Sequence, residues 1–287
     1  MLAPEEELAM PRPRRVLSLA ALSLVALLVF VAAMVTTAFS ASAAPALPNS
    51  IAAIGDSISQ AFDSCCFWGD HPSHSWSTGD SSSDGVTSHY EHVLAANGGI
   101  SGHTHDDAVT GAKMAAGPGQ AATAVSQGVQ YVTILLGAND VCTSSSSNMT
   151  STSDFTAQFT KTMDTLQGLP SGAHVFVSSI PNIYQLWSTL HHNLLAEAVW
   201  KIAGICQSML NTSNSEATRQ AVLAHERDLN GALQSVCAKY ANCRFDNNAV
   251  FNTAFSSSQV SGLDYFHPNL GGQAILANVS WSASYWG

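Results

Sequence analysis

The sequence has very little charge. Only 10% of its 287 residues are Asp, Glu, Lys or Arg, whereas an average soluble domain has about 25%. This scarcity excludes a charge-rich coiled coil and a disordered acidic tail. Ten Lys and Arg residues against twenty Asp and Glu residues give a net charge of −10. Because the phosphate backbone of a nucleic acid would be repelled, no nucleic-acid partner is expected.

One long stretch near the N-terminus has no charge at all. It runs from Val16 to Phe39, follows Arg14 and Arg15, and is followed by the small residues Ala41–Ala43. A basic region, an apolar region and an A-x-A site together predict a secretory signal peptide over residues 1–43, and hence an exported protein. The alternative is an uncleaved membrane anchor, since about 20 apolar residues span a bilayer.

The rest of the chain, 44–287, is long enough for a single α/β domain with a sizeable core. It contains all six cysteines, and an even number in an exported chain predicts up to three disulfides. Cys237 and Cys243 are close enough to join a helix end to the next strand, and three pairings remain open for the other four. The candidates are Cys65, Cys66, Cys142, Cys206, Cys237 and Cys243. No C-x-x-C motif is present, which argues against a cysteine metal site.

Short apolar runs alternate along this region with segments of helical character. The runs at Ile51–Ile54, Tyr131–Leu136 and His174–Ser178 predict buried strands, with shorter strands near Ile100 and Arg244. Helices are predicted over 88–96, 119–128, 153–169, 183–210, 215–240 and 268–281. This alternation favours a parallel sheet with helices on both faces.

Residues that can carry out acyl transfer follow the predicted strands. Ser57 comes directly after the first strand, Asn139 follows the strand at 131–136, and Asp264 and His267 lie near the C-terminus. In a parallel sheet such positions meet beyond the carboxyl ends of the strands. A serine hydroxyl needs a base to become a nucleophile, so His267 is the candidate base and Asp264 the group that orients it.

An acyl-transfer site also needs fixed donors for the oxyanion. The backbone N–H of Ser57 and the side-chain amide of Asn139 are two candidates. A third is the backbone of Gly111, which lies between the two strands in sequence. Asp56 and Asp140 are interpreted as structural residues that hold the turns around Ser57 and Asn139.

These residues form four blocks in which the sequence resembles the SGNH (GDSL-type) hydrolase family. The blocks are Gly55–Ser59, Gly111, Gly137–Asp140 and Asp264–His267, in that order within 51–270. The resemblance implies a flavodoxin-like α/β/α three-layer sandwich and ester hydrolysis without a cofactor. It also implies a catalytic triad of Ser57, His267 and Asp264, with an oxyanion hole formed by Ser57, Gly111 and Asn139.

Two segments are similar to secreted, phospholipase B-like members of that family, Gly137–Cys142 and Asp264–Pro268. This similarity implies a lipid or another acyl ester as substrate. Phe62, Trp187 and Phe266 are candidate lining residues of an acyl groove, although core packing explains each of them equally well. We expect a monomer that meets a membrane only through its signal segment or its substrate.

Other functions remain open on the same scaffold. The site could deacetylate a polysaccharide, or it could transfer the acyl group to an acceptor other than water. A more remote alternative is a secreted, non-catalytic binding module. The presence of Ser57, Asn139, Asp264 and His267 together argues against that module, because a binding protein has no need for all four.

Two patterns could be taken for metal sites. The pairs His71/His74 and His103/His105 have ligand-like spacing but no clear third ligand. Asp80, Ser82, Asp84, Gly85 and Glu91 fall on calcium-loop positions, but Thr87 replaces the usual aliphatic residue. We therefore expect no metal.

Overall fold

A sheet of five short parallel strands lies at the centre of the structure, a computed structural model that describes residues 44–287. The predicted signal segment, 1–43, lies outside the described residues. The strands are β1 (Ile51–Gly55), β2 (Thr104–Asp106), β3 (Tyr131–Leu135), β4 (His174–Val177) and β5 (Cys243–Phe245). Their order is β2-β1-β3-β4-β5, and every neighbouring pair is parallel. This is the flavodoxin-like order, so the predicted fold class is confirmed.

Helices cover both faces of the sheet. They are α1 (His89–Ala96), α2 (Gly117–Gln127), α3 (Ala138–Val141), α4 (Thr152–Leu166), α5 (Ile183–Leu190), α6 (Leu194–Ile202), α7 (Gln207–Leu210), α8 (Glu216–Cys237) and α9 (Leu270–Ala283). On one face α4 packs between α2 and α8. On the other face, a hydrogen bond of 2.8 Å between His89 Nε2 and Ser280 Oγ joins α1 to α9. β1 and β3 are buried on both faces, as their continuous apolar sequences predict.

Several boundaries differ from the sequence prediction, and three of the differences concern the arrangement of the elements. Ile100 lies in a short 3₁₀ turn after α1, and the edge strand begins four residues later, at Thr104. The predicted helix 183–210 is divided into α5, α6 and α7, and α6 begins as a new helix because Asn193 caps it through its side chain. The last helix begins at Leu270 rather than at Pro268, with Asn269 as its N-cap.

Two disulfides are formed. Cys237 at the end of α8 bonds to Cys243 at the start of β5, as the sequence spacing suggested. Cys142 bonds to Cys206 and ties the end of α3 to the segment before α7. Cys65 and Cys66 keep free thiols, because the other four cysteines are paired and adjacent residues could bond only to each other. Burial, with the neighbouring Cys66 thiol, raises the pKa of Cys65 to about 11, so its thiol stays protonated at neutral pH.

Within residues 44–287, no helix is long and apolar enough to cross a membrane.

His89 is buried in the layer between α1 and the sheet. Its ring nitrogens bond to Tyr131 and Ser280, and its ring packs edge-on against Trp76 and Trp281. Burial, helped by the charge of His92, lowers the pKa of His89 to about 3. The folded protein therefore keeps this histidine neutral over a pH range in which the unfolded chain protonates it.

Acid should therefore destabilise the fold through His89. The unfolded imidazole titrates near its ordinary value of about 6.5, so the free energy of unfolding falls as pH drops below that value and continues to fall towards pH 3. We expect His89→Gln to be less stable than the parent by about 1–3 kcal/mol at pH 8, with a smaller difference at pH 5. Urea unfolding at both pH values measures this, and an unchanged difference would contradict the prediction.

Candidate active site

The carboxyl ends of β1 and β3 meet where the chain changes direction across the sheet. From β1 the chain continues to β2 on one side of it, and it then crosses to β3 on the other side. Such a switch point leaves a crevice between the loops that follow the two strands. Ser57 follows β1 and Asn139 follows β3, so both lie at this crevice.

The turn after β1 is fixed from several sides. A Cβ atom on Gly55 would lie 2.3 Å from Ser59 Oγ and 3.0 Å from the Leu135 carbonyl oxygen, so this position requires glycine. The side chain of Gln120 accepts a hydrogen bond from the Gly55 N–H and donates one to its carbonyl, each at 2.9 Å. Asp56 Oδ1 accepts from the Ile58 N–H at 3.0 Å. The backbone on both sides of Ser57 is therefore fixed before any substrate arrives.

Asp56 is fully buried beneath the turn. Burial raises its pKa to about 7, against the lowering effects of the Ile58 N–H and of His267. Its second oxygen, Oδ2, has no hydrogen-bond partner among the described residues. The bond to the Ile58 N–H is the contact through which Asp56 would hold the turn, and its structural role stays a prediction.

His267 bonds to Ser57 with one ring nitrogen and to Asp264 with the other. Its Nε2 lies 2.7 Å from Ser57 Oγ, and its Nδ1 contacts Asp264 Oδ2. Asp264 Oδ1 accepts from the backbone N–H groups of Phe266 at 2.8 Å and His267 at 3.1 Å. Because both carboxylate oxygens are engaged, Asp264 fixes the ring of His267 and favours a proton on Nδ1, which leaves Nε2 free to accept the serine proton.

Asp264 is almost fully buried. Burial by itself would raise its pKa, but the hydrogen bond and charge of His267, with the two backbone N–H groups, hold it below its ordinary value of 3.8. The carboxylate is therefore ionised at neutral pH and can stabilise a protonated His267.

The three predicted oxyanion donors, on Ser57, Gly111 and Asn139, lie on loops that hydrogen bonds join to one another. The Asn139 amide donates one hydrogen to the Ala112 carbonyl oxygen at 3.0 Å, which fixes the amide and leaves its second hydrogen available. Gly111 lies in the loop after β2 with φ of +81°. Among residues 44–287, no hydrogen bond engages the N–H of Ser57 or of Gly111. Two backbone donors and one side-chain donor are thus free.

An apolar pocket opens beside His267. Its walls include Ile58, Ala138, Ile183, Leu186, Phe255 and Phe266. The ring of His267 also contacts the rings of Phe62 and Phe266, each with centroids 5.0 Å apart. An acyl chain could be accommodated against these surfaces.

Of the three predicted groove residues, only Phe266 lines this pocket, whereas Phe62 contacts His267 outside it. Trp187 does not line it. Its ring stacks on His191 with centroids 4.4 Å apart, and the Arg219 guanidinium lies 4.2 Å from the ring centroid. Trp187 lies on α5, and the residues of that helix that line the pocket are Ile183, Gln185 and Leu186.

Two glutamines that support the site have no signal in the sequence. Gln120 on α2 holds Gly55, as described above. Gln273 on α9 accepts a hydrogen bond from the Trp76 N–H. It also donates one, at 2.9 Å, to the carbonyl of Ile58, the residue that follows Ser57. Both are single glutamines within helices, and only the packing of those helices shows what they hold.

Three of the candidate metal-binding residues, His74, Asp84 and Glu91, are engaged in hydrogen bonds within the protein. His74 and the Val86 N–H both bond to Asp84, and Glu91 accepts from the Ser88 N–H at the start of α1. Over residues 44–287, no group of three or more His, Cys, Asp or Glu side chains could hold a metal ion.

Comparisons with known proteins place this geometry in context. The sequence model of the family described as GDSL-like Lipase/Acylhydrolase matches residues 51–279. No curated protein matches the sequence.

Several solved structures are similar to this chain at low sequence identity. The crystal structure of TesA is 14% identical with a TM-score of 0.50, over 82% of this chain and 97% of that one. The salicylyl-acyltransferase SsfX3, from a tetracycline biosynthetic pathway, is 13% identical with a TM-score of 0.50, over 84% of this chain and 54% of that one. An extracellular lipase from Streptomyces rimosus is 17% identical with a TM-score of 0.48, over 82% and 99%.

Proposed function

The chain belongs to the GDSL-like lipase/acylhydrolase family and is an enzyme that hydrolyses carboxylic esters, and from that premise we propose that it is an exported serine esterase or lipase. In this proposal Ser57 is the nucleophile, His267 the general base and acid, and Asp264 the residue that orients His267.

One observation carries the proposal: the single ring of His267 bonds to Ser57 Oγ and to Asp264 at the same time. A base within hydrogen-bond distance of a serine hydroxyl, itself oriented by a third group, is the arrangement that nucleophilic catalysis requires. A purely structural serine has no need of a histidine held in this way.

In the first half of the reaction, Ser57 Oγ attacks the ester carbonyl carbon while its proton moves to His267 Nε2. The imidazolium that forms lies against the ionised Asp264. The carbonyl oxygen becomes an oxyanion. It accepts hydrogen bonds from the backbone N–H groups of Ser57 and Gly111 and from the second amide hydrogen of Asn139. Loss of one such donor typically costs about 3–4 kcal/mol of transition-state stabilisation.

The tetrahedral intermediate then collapses. His267 gives its proton to the leaving alcohol oxygen as the C–O bond breaks, which leaves an acyl ester on Ser57. In the second half a water molecule attacks the acyl carbon of that ester, and His267 takes a proton from the water. His267 then returns the proton to Ser57 Oγ as the acyl C–Oγ bond breaks and the carboxylic acid leaves. The enzyme ends in its starting protonation state, and apart from the ester and the water each step uses only groups of this chain.

The pocket beside His267 and the net charge of the chain support an uncharged acyl ester as substrate. The pocket beside His267 is lined mainly by apolar side chains, and the net charge of −10 disfavours polyanions. Export is supported by the signal pattern at 1–43 and by two disulfides, which persist mainly in oxidising compartments.

A serine-directed alkyl phosphonate tests the proposal directly. We expect the protein to gain the mass of one phosphonyl group on the peptide that contains Ser57, together with loss of ester hydrolysis. The matched control is Ser59→Ala, since Ser59 lies in the same turn but bonds to Trp76, and this variant should still be labelled. Failure to label a folded protein would favour a non-catalytic module, and labelling at another residue would contradict the assignment of Ser57 as the nucleophile.

A further inference from the structure

Two adjacent aromatic side chains are exposed in the loop that follows the candidate nucleophile. Phe67 is 68% exposed and Trp68 is 59% exposed. We name residues 61–71 the aromatic loop. Soluble proteins rarely expose contiguous large apolar side chains, and where they do, the patch commonly contacts a partner.

The aromatic loop is held in shape by its own hydrogen bonds. The Asp63 N–H donates to the Gly69 carbonyl at 2.8 Å, and the Gly69 N–H donates to Asp63 Oδ1 at 2.7 Å. The His71 ring donates from Nε2 to the Phe67 carbonyl at 2.8 Å. The loop therefore presents Phe67 and Trp68 to solvent in a defined geometry, so they lose little conformational freedom when they bind.

The exposed aromatics are continuous with the active site. Trp68 packs edge-on against Phe62 with centroids 5.8 Å apart, and Phe62 lies 5.0 Å from the ring of His267. A surface that covers Trp68 would thus lie one side chain from the catalytic base.

Two further exposed apolar residues lie on loops bonded to this region. Val109 is 57% exposed, and its N–H donates to the carbonyl of Gly55, two residues before Ser57. Leu263 is 41% exposed and directly precedes Asp264. Ser261 joins its loop to the aromatic loop through the Asp63 carbonyl. Together Phe67, Trp68, Val109 and Leu263 form what we name the apolar rim.

Charge determines which kind of surface suits the apolar rim. Segments 61–71, 107–111 and 261–267 contain no Lys or Arg, and they contain four aspartates, Asp63, Asp70, Asp107 and Asp264. An anionic membrane attracts proteins through basic residues, so these loops do not fit one. Phe, Trp, Leu and Val insert into the interfacial region of lipids without needing charge.

We propose that the apolar rim docks the enzyme onto the surface of an aggregated lipid that is zwitterionic or uncharged. This inference rests on the proposed function and adds the physical form of the substrate to it. Docking would bring the crevice at Ser57 against the lipid surface, so that an ester could enter from the aggregate without first dissolving in water.

Vesicle binding tests the apolar rim separately from catalysis. The protein carries Ser57→Ala so that lipid is not consumed, and it is sedimented with phosphatidylcholine vesicles. The rim variant adds Phe67→Ser and Trp68→Ser. The matched control adds Leu194→Ser and Leu195→Ser, two comparably exposed residues on α6. The N-terminus of the parent, the rim variant and the control is determined by mass spectrometry. If the apolar segment 16–39 is retained, it would contribute equally to vesicle binding by all three proteins.

We expect the rim variant to bind phosphatidylcholine vesicles at least about tenfold more weakly, given the apolar area that two aromatic side chains bury. The control should bind as the Ser57→Ala parent does, and adding anionic lipid should not strengthen binding. With Ser57 restored, the ratio of activity on vesicles to activity on a dissolved short ester should also fall about tenfold in the rim variant.

Several outcomes would overturn the docking proposal. One is equal vesicle binding by the rim variant and the parent, and another is an equal loss in the control. A third is size-exclusion chromatography that shows a dimeric parent and a monomeric rim variant, because the apolar rim would then join two copies of the chain. If the protein with Ser57 restored binds vesicles but hydrolyses no ester, the proposed function is contradicted and the docking proposal is not.

Discussion

Replacing Ser57 with alanine is expected to lower kcat for hydrolysis of a short acyl ester by about 10⁴- to 10⁶-fold. The change removes the only oxygen that His267 Nε2 contacts at hydrogen-bond distance in the site. With no acyl-enzyme possible, the remaining rate can come only from water attack assisted by the oxyanion donors. Initial rates with a chromogenic ester, measured on the purified variant and corrected for contaminating esterases, test this.

The variant should remain folded, because the lost hydroxyl group is small and lies at the edge of a crevice. Its thermal unfolding midpoint, compared with that of the parent, separates lost chemistry from lost structure. A folded Ser57→Ala protein that keeps more than about 1% of the parent kcat would rule out Ser57 as the nucleophile.

Replacing Asp264 with asparagine is expected to lower kcat by about 10³- to 10⁴-fold with little change in KM. Asp264 accepts hydrogen bonds at both oxygens, one set from backbone N–H groups and one from His267. An amide has only one acceptor atom, so if its oxygen stays on the backbone its NH₂ faces Nδ1. His267 would then hold its proton on Nε2 and could not accept the one from Ser57.

The matched control for this change is Asp246→Asn. Asp246 is also a buried carboxylate that accepts backbone N–H groups, from Asn248 and Val250, but it contacts neither Ser57 nor His267. We expect the control to lose stability and to keep the kcat of its folded fraction. Equal kcat losses in the two variants would show that buried charge and fold integrity, not the orientation of His267, explain the effect.

The sequence allowed prediction of features that depend on neighbouring residues. Continuous apolar runs predicted β1, β3 and β4, because a strand buried on both faces needs apolar side chains at every position. The glycines that end two of these runs, Gly55 and Gly137, are equally local signals. They predicted that Ser57 and Asn139 directly follow strands. The order of the four blocks then predicted both the fold and the family, since these short motifs need only local geometry to be recognised.

Other features depended on which distant segments come together. Three pairings were open for Cys65, Cys66, Cys142 and Cys206, and only the packing of α3 near α7 selected Cys142–Cys206. Trp187 is an aromatic residue of the kind that lines acyl grooves. Its position on α5, however, places its ring against Arg219 instead of in the pocket.

The sequence by itself thus determined which residues are candidates for the chemistry, and the tertiary structure decided what surrounds them. Reactive residue types, their order and their strand-end positions are properties of local sequence. The support from Gln120 and Gln273, the apolar pocket and the exposure of Phe67 and Trp68 are properties of long-range packing. A side chain's burial depends on the elements folded against it, and these lie far away along the chain.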